Sequence, residues 1–293
     1  MTESSRRRSG SSVGSLPVGD LSLDTAVHGS EGRYHGDLSD EWEIWGPNGG
    51  YLASVALRAV AAESRFVRPA SLSCHFLSGA AFGPVDLDVV HLRRAKRAES
   101  LRVTMTQTER KVLEALVWMI DTAQGLHHDY APMPDAPTPS GLPSTEELTD
   151  EPRSKRYSFF TNVEERPTSW IDDWEHREPG EPRMASWFRF RPVATFDDLV
   201  VDACRSLILM DTLEWPAAVR AYSGQLPWVA PSLDLSVRFH RFEPDCEWLL
   251  SDTTAAIATD GLIGGAASVW SATNRLLASG GEQMLCRPVP PPA

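Results

Sequence analysis

Long apolar runs are missing from this chain of 293 residues, although 42% of it is hydrophobic. No stretch approaches the ~18 consecutive apolar residues of a membrane-spanning helix, which excludes helical spans as its organising feature. Cysteine is scarce. Cys74, Cys204, Cys246 and Cys286 lie far apart with no metal-ligand spacing, and each sits in or beside an apolar segment. That pattern suits buried thiols in a reducing cytoplasm better than a disulfide framework. Positive charge is in deficit, with 28 Lys and Arg against 40 Asp and Glu and a net charge of −12, which argues against a nucleic-acid binder. A Walker loop, a G-x-S-x-G elbow and a zinc pattern are all absent, and His127, His128 and His176 have no metal-partner spacing. No metal and no cofactor is therefore expected. The opening MTESSRRRSGSSVGSLP carries an arginine run with no hydrophobic segment after it. It reads as a disordered tail over residues 1–20 rather than a signal peptide.

What the chain does have is a repeat. Leu21–Val27 and Glu41–Trp45 read as short strands. Gly46-Pro47-Asn48-Gly49-Gly50 then makes a turn into an alanine-rich helix from Tyr51, with too few polar residues to be anything but buried. Strands are expected at Ser71–Leu77, Val85–Leu92, Leu101–Thr108 and Val112–Ile120. The pattern dissolves into proline-, serine- and acid-rich linker chemistry over 123–183, with Tyr157–Val163 as a possible return to a sheet. It then recurs: a strand at Ser186–Arg191, a helix at Thr195–Asp211, an alternating strand at Ser232–His240, and strands at Trp248–Ile257, Leu262–Ser271 and Leu276–Cys286. Two copies of one α+β unit, over 21–122 and 184–293, each a sheet wrapped around a helix, is the economical reading.

One carboxylate stands out within this frame. In TFDDLVVDACRSLILMD, Val200, Cys204, Leu207 and Ile208 form one apolar stripe, with Thr195 as expected cap, and Asp211 continues the stripe at the helix end that disfavours negative charge. Two readings are open and compatible. In one, Asp211-Thr212-Leu213-Glu214 is a capping box for a second short helix; in the other, Asp211 is a general base held on an apolar face.

The segments GGYLASVALRA, SLSCHFL, SLDLSVRFHRFEPDCEWLL and RLLASGGEQML, in this order, resemble the bacterial acyl-CoA thioesterase II family, whose fold is a double hotdog. The resemblance covers 20–122 and 184–287. It implies two hotdog units packed sheet to sheet as a pseudo-dimer and a cytoplasmic enzyme that hydrolyses acyl-CoA, with further self-association. In that family an aspartate, a hydroxyl residue and a glutamine hold the attacking water. Asp211 and Ser232 match the first two. For the third, strict spacing points to Glu282, whereas chemical type favours Gln283, provided that Gly280-Gly281 forms a β-bulge. Some relatives carry a histidine where Ser73 stands.

Thioester hydrolysis needs an activated water and a polarised carbonyl, with less need for a general acid because a thiolate leaves readily. Asn48, Gly49 and Gly50 at the helix start are candidate carbonyl-polarising groups, with plain helix entry as the alternative. Arg93, Arg94, Lys96 and Arg97 form a dense basic run at a hairpin turn, a candidate phosphate contact for coenzyme A or else a solvated turn. A hotdog hydratase or dehydratase, and an acyl-thioester-binding protein with decayed catalysis, are the competing functions.

Overall fold

The computed structural model describes residues 18–150 and 157–289, so most of the expected N-terminal tail lies outside the described residues. The first half holds α1 (Leu21–Asp24), β1 (His28–Ser30), β2 (Arg33–Leu38), α2 (Gly49–Glu63), β3 (Arg68–Phe76), β4 (Gly83–Arg94), β5 (Ala98–Gln107) and β6 (Arg110–Ile120). After α3 (Thr145–Leu148) and β7 (Val163–Pro167) come β8 (Arg183–Phe190), α4 (Leu199–Leu209), α5 (Glu214–Val219), β9 (Trp228–Val229) and β10 (Asp234–Phe239). The chain closes with β11 (Leu249–Thr259), β12 (Leu262–Ser271), β13 (Leu276–Leu285) and β14 (Arg287–Pro288). No helix among the described residues is long and apolar enough to cross a membrane.

Twelve strands form one antiparallel sheet in the order β1-β2-β4-β5-β6-β3-β10-β13-β12-β11-β8-β7. The order reads alike outward from the central β3–β10 seam, because each half runs strand, helix, then four strands. The halves form the expected pseudo-dimer, joined through their edge strands. β3 and β10 pair edge to edge, Asp234 opposite His75 through Arg238 opposite Ser71, so each sheet uses its edge strand to close the other's. Helices α2 and α4 pack against one another inside the curl of this sheet. Gly50 makes their contact close: a Cβ there would lie 2.4 Å from the Leu207 carbonyl oxygen. One apolar core runs through both halves, from Leu57, Leu101 and Val103 to Leu207, Leu235 and Val269.

Several expected elements take other forms. Leu21–Val27 begins as helix α1, since Asp20 caps it by accepting from the Ser22 and Leu23 amides. Glu41–Trp45 is replaced by a 3-10 turn at Asp40–Trp42 that buries Trp42. Helix α4 is capped by Asp198, which accepts from the Val200 and Val201 amides, so Thr195 stands outside it. The 123–183 segment is not structureless: β7 extends the sheet beside β8, and Trp187 Nε1 donates to the Pro137 carbonyl at 2.8 Å. All four cysteines are free; Cys74 and Cys204 are buried, Cys246 and Cys286 partly exposed.

Candidate active site

The start of α2 meets the end of α4 because the two helices run antiparallel. Asn48 caps α2 in the usual way, its Oδ1 accepting from the Tyr51 amide at 2.9 Å. Its Nδ2 is thereby turned toward α4 and donates to Asp211 Oδ2 at 2.9 Å. The Gly50 amide donates to the same oxygen at 3.0 Å, and the Gly49 amide also hydrogen-bonds this carboxylate. Ser232 Oγ donates to Asp211 Oδ1 at 3.0 Å. Gly49 has to be glycine for this geometry. A Cβ at that position would lie 2.8 Å from Phe76 Cζ and 2.9 Å from Asp211 Oδ2.

These contacts show that Asp211 does not cap a second helix. Helix α5 begins at Glu214, its cap position is Leu213, and no side chain caps it. The Asp211 carboxylate instead sits at the positive end of α2, ringed by donors that favour its ionised form against the burial that raises its pKa. The same contacts revise the role expected for Asn48, Gly49 and Gly50. Their N–H groups are directed at Asp211, not at a substrate carbonyl, so they fix and charge the candidate base.

Gln283 does not join the site. β13 runs in unbroken register against β10 from Ser236–Gly281 to Phe239–Ala278, and against β12 from Leu262–Leu285 to Val269–Ala278. Gly280-Gly281 therefore makes no bulge, and strict alternation turns Gln283 to the exposed face. The two glycines serve close strand approach instead, a Cβ on Gly280 falling 1.8 Å from the Ser236 carbonyl oxygen. Glu282 takes the inward position; it is 5% exposed and faces Asp211 and Ser232. Ser73 faces away as well, its hydroxyl 2.9 Å from that of Ser236 on the outer surface.

A third carboxyl completes the cluster, and sequence reasoning missed it. Glu214 is 1% exposed, and neither of its carboxyl oxygens has a hydrogen-bond partner among the described residues. It packs over Gly265, where a Cβ would lie 2.8 Å from Glu214 Cγ and 3.5 Å from Glu282 Cγ. Burial, followed by the Asp211 charge, pushes the Glu214 pKa well up. Burial, then the Asp211 and Glu214 charges, do the same to Glu282. Three carboxyls this close cannot all ionise, and the four donors around Asp211 make it the one that does. Burial and the neighbouring charge favour the protonated forms of Glu282 and Glu214. The signal in the sequence is Glu214 itself, the last residue of the capping-box candidate Asp211-Thr212-Leu213-Glu214.

Arg93, Arg94 and Arg97 lie elsewhere. They are on the exposed β4–β5 hairpin, which touches the C-terminal end of α2 through Arg65 and the Ala95 carbonyl. With α2 spanning Gly49–Glu63, that is about 20 Å of helix away from Asp211. They are not part of the Asp211 site.

A hot dog fold protein from Alicyclobacillus acidocaldarius aligns over 92% of this chain and 98% of its own, with a TM-score of 0.72 and 21% identity. Acyl-CoA thioesterase II TesB2 from Mycobacterium marinum aligns over 92% and 97%, with a TM-score of 0.72 and 23% identity. The CurJ dehydratase is more distant, at a TM-score of 0.51 and 13% identity over 91% and 96% of the two chains. These likenesses establish a hotdog fold. The family models go further: the acyl-CoA thioesterase N-terminal domain matches residues 38–120, and the C-terminal domain matches 127–285, a span holding Asp211, Ser232 and Glu282. The chain belongs to the acyl-CoA thioesterase family.

Proposed function

We propose that the protein hydrolyses acyl-CoA to a free acid and coenzyme A, with Asp211 as the base that takes a proton from the attacking water. The observation that carries this reading is the Asp211 carboxylate itself, held by Asn48, Gly50 and Ser232 and faced by Glu282. Oδ2 is occupied by the donors of the α2 start, which leaves Oδ1, on the Ser232 side, to receive the proton. Ser232 and Glu282 orient the water. In its protonated form Glu282 offers an O–H where the family resemblance puts a glutamine N–H, so the exchange of amide for acid keeps a donor in place. The addition passes through a tetrahedral oxyanion that collapses by expelling the coenzyme A thiolate, a leaving group that needs little protonation.

The hydratase alternative finds no support in this geometry, because no histidine is among the described contacts of Asp211. Incubation with acyl-CoAs of graded chain length and a thiol reagent tests the proposal. Catalytic thiol release is expected for at least one chain length. Binding without thiol release would identify an acyl-thioester-binding protein, and hydration of an enoyl-CoA without thiol release would identify a hydratase.

A further inference from the structure

The two halves are related by a twofold that can be traced residue by residue. At the seam Ser73 lies opposite Ser236, and between the helices Ser54 Oγ donates to the Cys204 carbonyl at 3.4 Å. A twofold through these two points exchanges Ser73 with Ser236 and Ser54 with Cys204. It then carries the α2 cap, Asn48, onto the α4 cap, Asp198. The catalytic end of α2 accordingly has a counterpart at the opposite end of the helix pair. There Asp211 is replaced by Ala61 and Ser232 by Pro69. Because Gly281 faces Ser236 and Leu116 faces Ser73, Glu282 is replaced by Val117. None of the three side chains of the Asp211 cluster recurs in the counterpart.

It has nevertheless stayed open. A groove of about 1090 Å³ lies there, lined by Leu199 and Phe239, the symmetry equivalents of Gly49 and Phe76 beside Asp211. Its charge is also distinct from the rest of this acidic chain. Arg241 and Arg275 line it but are paired with Asp129 at 2.7 Å and Glu243 at 3.2 Å. Arg68 lines it too, stacked 5.3 Å from the Phe242 ring centroid and bonded to the His240 carbonyl. The basic hairpin borders it, for the Arg97 carbonyl accepts from the amide of groove residue Asp121 at 3.0 Å. Arg68, Arg93, Arg94, Lys96 and Arg97 form no ion pair among the described residues. Unpaired cations beside an open groove suit a ligand that carries phosphates.

We propose that this groove, with the Arg93–Arg97 hairpin at its mouth, is a second and non-hydrolytic site that binds coenzyme A through its nucleotide end. It lies beyond the hydrolysis reading and borrows from it only coenzyme A recognition, so inactivity of the Asp211 site would leave it standing. Titration calorimetry of the full chain with free coenzyme A tests it. Two coenzyme A molecules per chain are expected in the wild type. One is expected in Arg93→Ala/Arg94→Ala/Arg97→Ala and one in Val67→Glu, a substitution at a 64% exposed groove residue that folding tolerates. The lost site should weaken at least tenfold as salt rises from 50 to about 300 mM in the wild type, as binding that rests on phosphates and guanidinium groups does. Wild-type and variant chains that bind the same number of coenzyme A molecules would overturn the proposal. So would equal competition by inorganic phosphate, which would mean a bare anion patch. A KM for acyl-CoA that rises in step with the lost site would assign the arginines to substrate binding and overturn it as well.

Discussion

At the residue scale the account turns on which carboxyl carries the proton. Asp211 must be ionised to accept one from water, whereas Glu282 must keep one to donate. Activity therefore rises as Asp211 ionises and falls when the cluster loses its next proton. Glu282→Gln keeps a donor that cannot titrate, so the alkaline limb of the pH–rate profile should disappear or move to higher pH while kcat at acidic pH stays within about tenfold of wild type. An unchanged alkaline limb would mean that Glu282 is not the proton carrier. Stability carries a second readout. Glu214 and Glu282 have pKa values raised by folding, so the folded state binds more protons than the unfolded one above about pH 4.5. Stability is then full at acidic pH and declines as pH rises through the folded values. Glu214→Gln should flatten that decline in a series of melting curves from pH 5 to 9; a parallel decline in the variant would show that Glu214 is ionised throughout. Glu282 was within reach of the sequence, because strict strand spacing pointed to it. Preferring Gln283 put residue type ahead of register, and the register of β13 prevailed.

Elements place these groups, and their legibility in the sequence followed from periodicity. The long strands and both central helices stood out, since an alternating strand such as Asp234–Phe239 and a largely buried helix such as α2 each show one dominant pattern. The short pieces did not. In α1 the Asp20 cap starts a helix where a short strand was expected, and β7 is held by pairing with β8, a tertiary contact with no local signature. The glycine pair at the α2 start was legible as helix entry, yet its purpose was not, because nothing local shows that α4 ends against it. Gly49→Ala tests that purpose. Its Cβ would intrude on Asp211 and Phe76, so the variant should fold and lose at least tenfold in kcat with a smaller change in KM. Normal turnover would mean that the carboxylate does not need this approach. Gly50→Ala meets backbone rather than side chain, at 2.4 Å, and should cost stability by about 1–3 kcal/mol or more.

For the whole molecule, the repeat was readable and the joint was not. The same strand order in both halves follows from their shared pattern, but the edge-to-edge seam depends on which edge strands meet, and that is a tertiary choice. Because β3 pairs with β10 and the core runs through both halves, the chain should unfold in one transition. Leu235→Ala at the seam, fully buried in the wild type, should lower stability by about 2–5 kcal/mol and keep the transition single. Two separated transitions would mean that the halves are independent. The pseudo-twofold also accounts for a single proposed hydrolytic site in a fold with two helix starts: Ala61, Pro69 and Val117 stand where Asp211, Ser232 and Glu282 meet in the other half. The most direct test of that chemistry is single-turnover hydrolysis of an acyl-CoA substrate by Asp211→Asn, followed by thiol release, with melting curves recorded alongside. Asparagine preserves shape and can still accept from Asn48 and Gly50, so the protein should remain folded while the rate falls by about 10²–10⁴. A folded Asp211→Asn enzyme that turns over at the wild-type rate would contradict the account and place the base elsewhere.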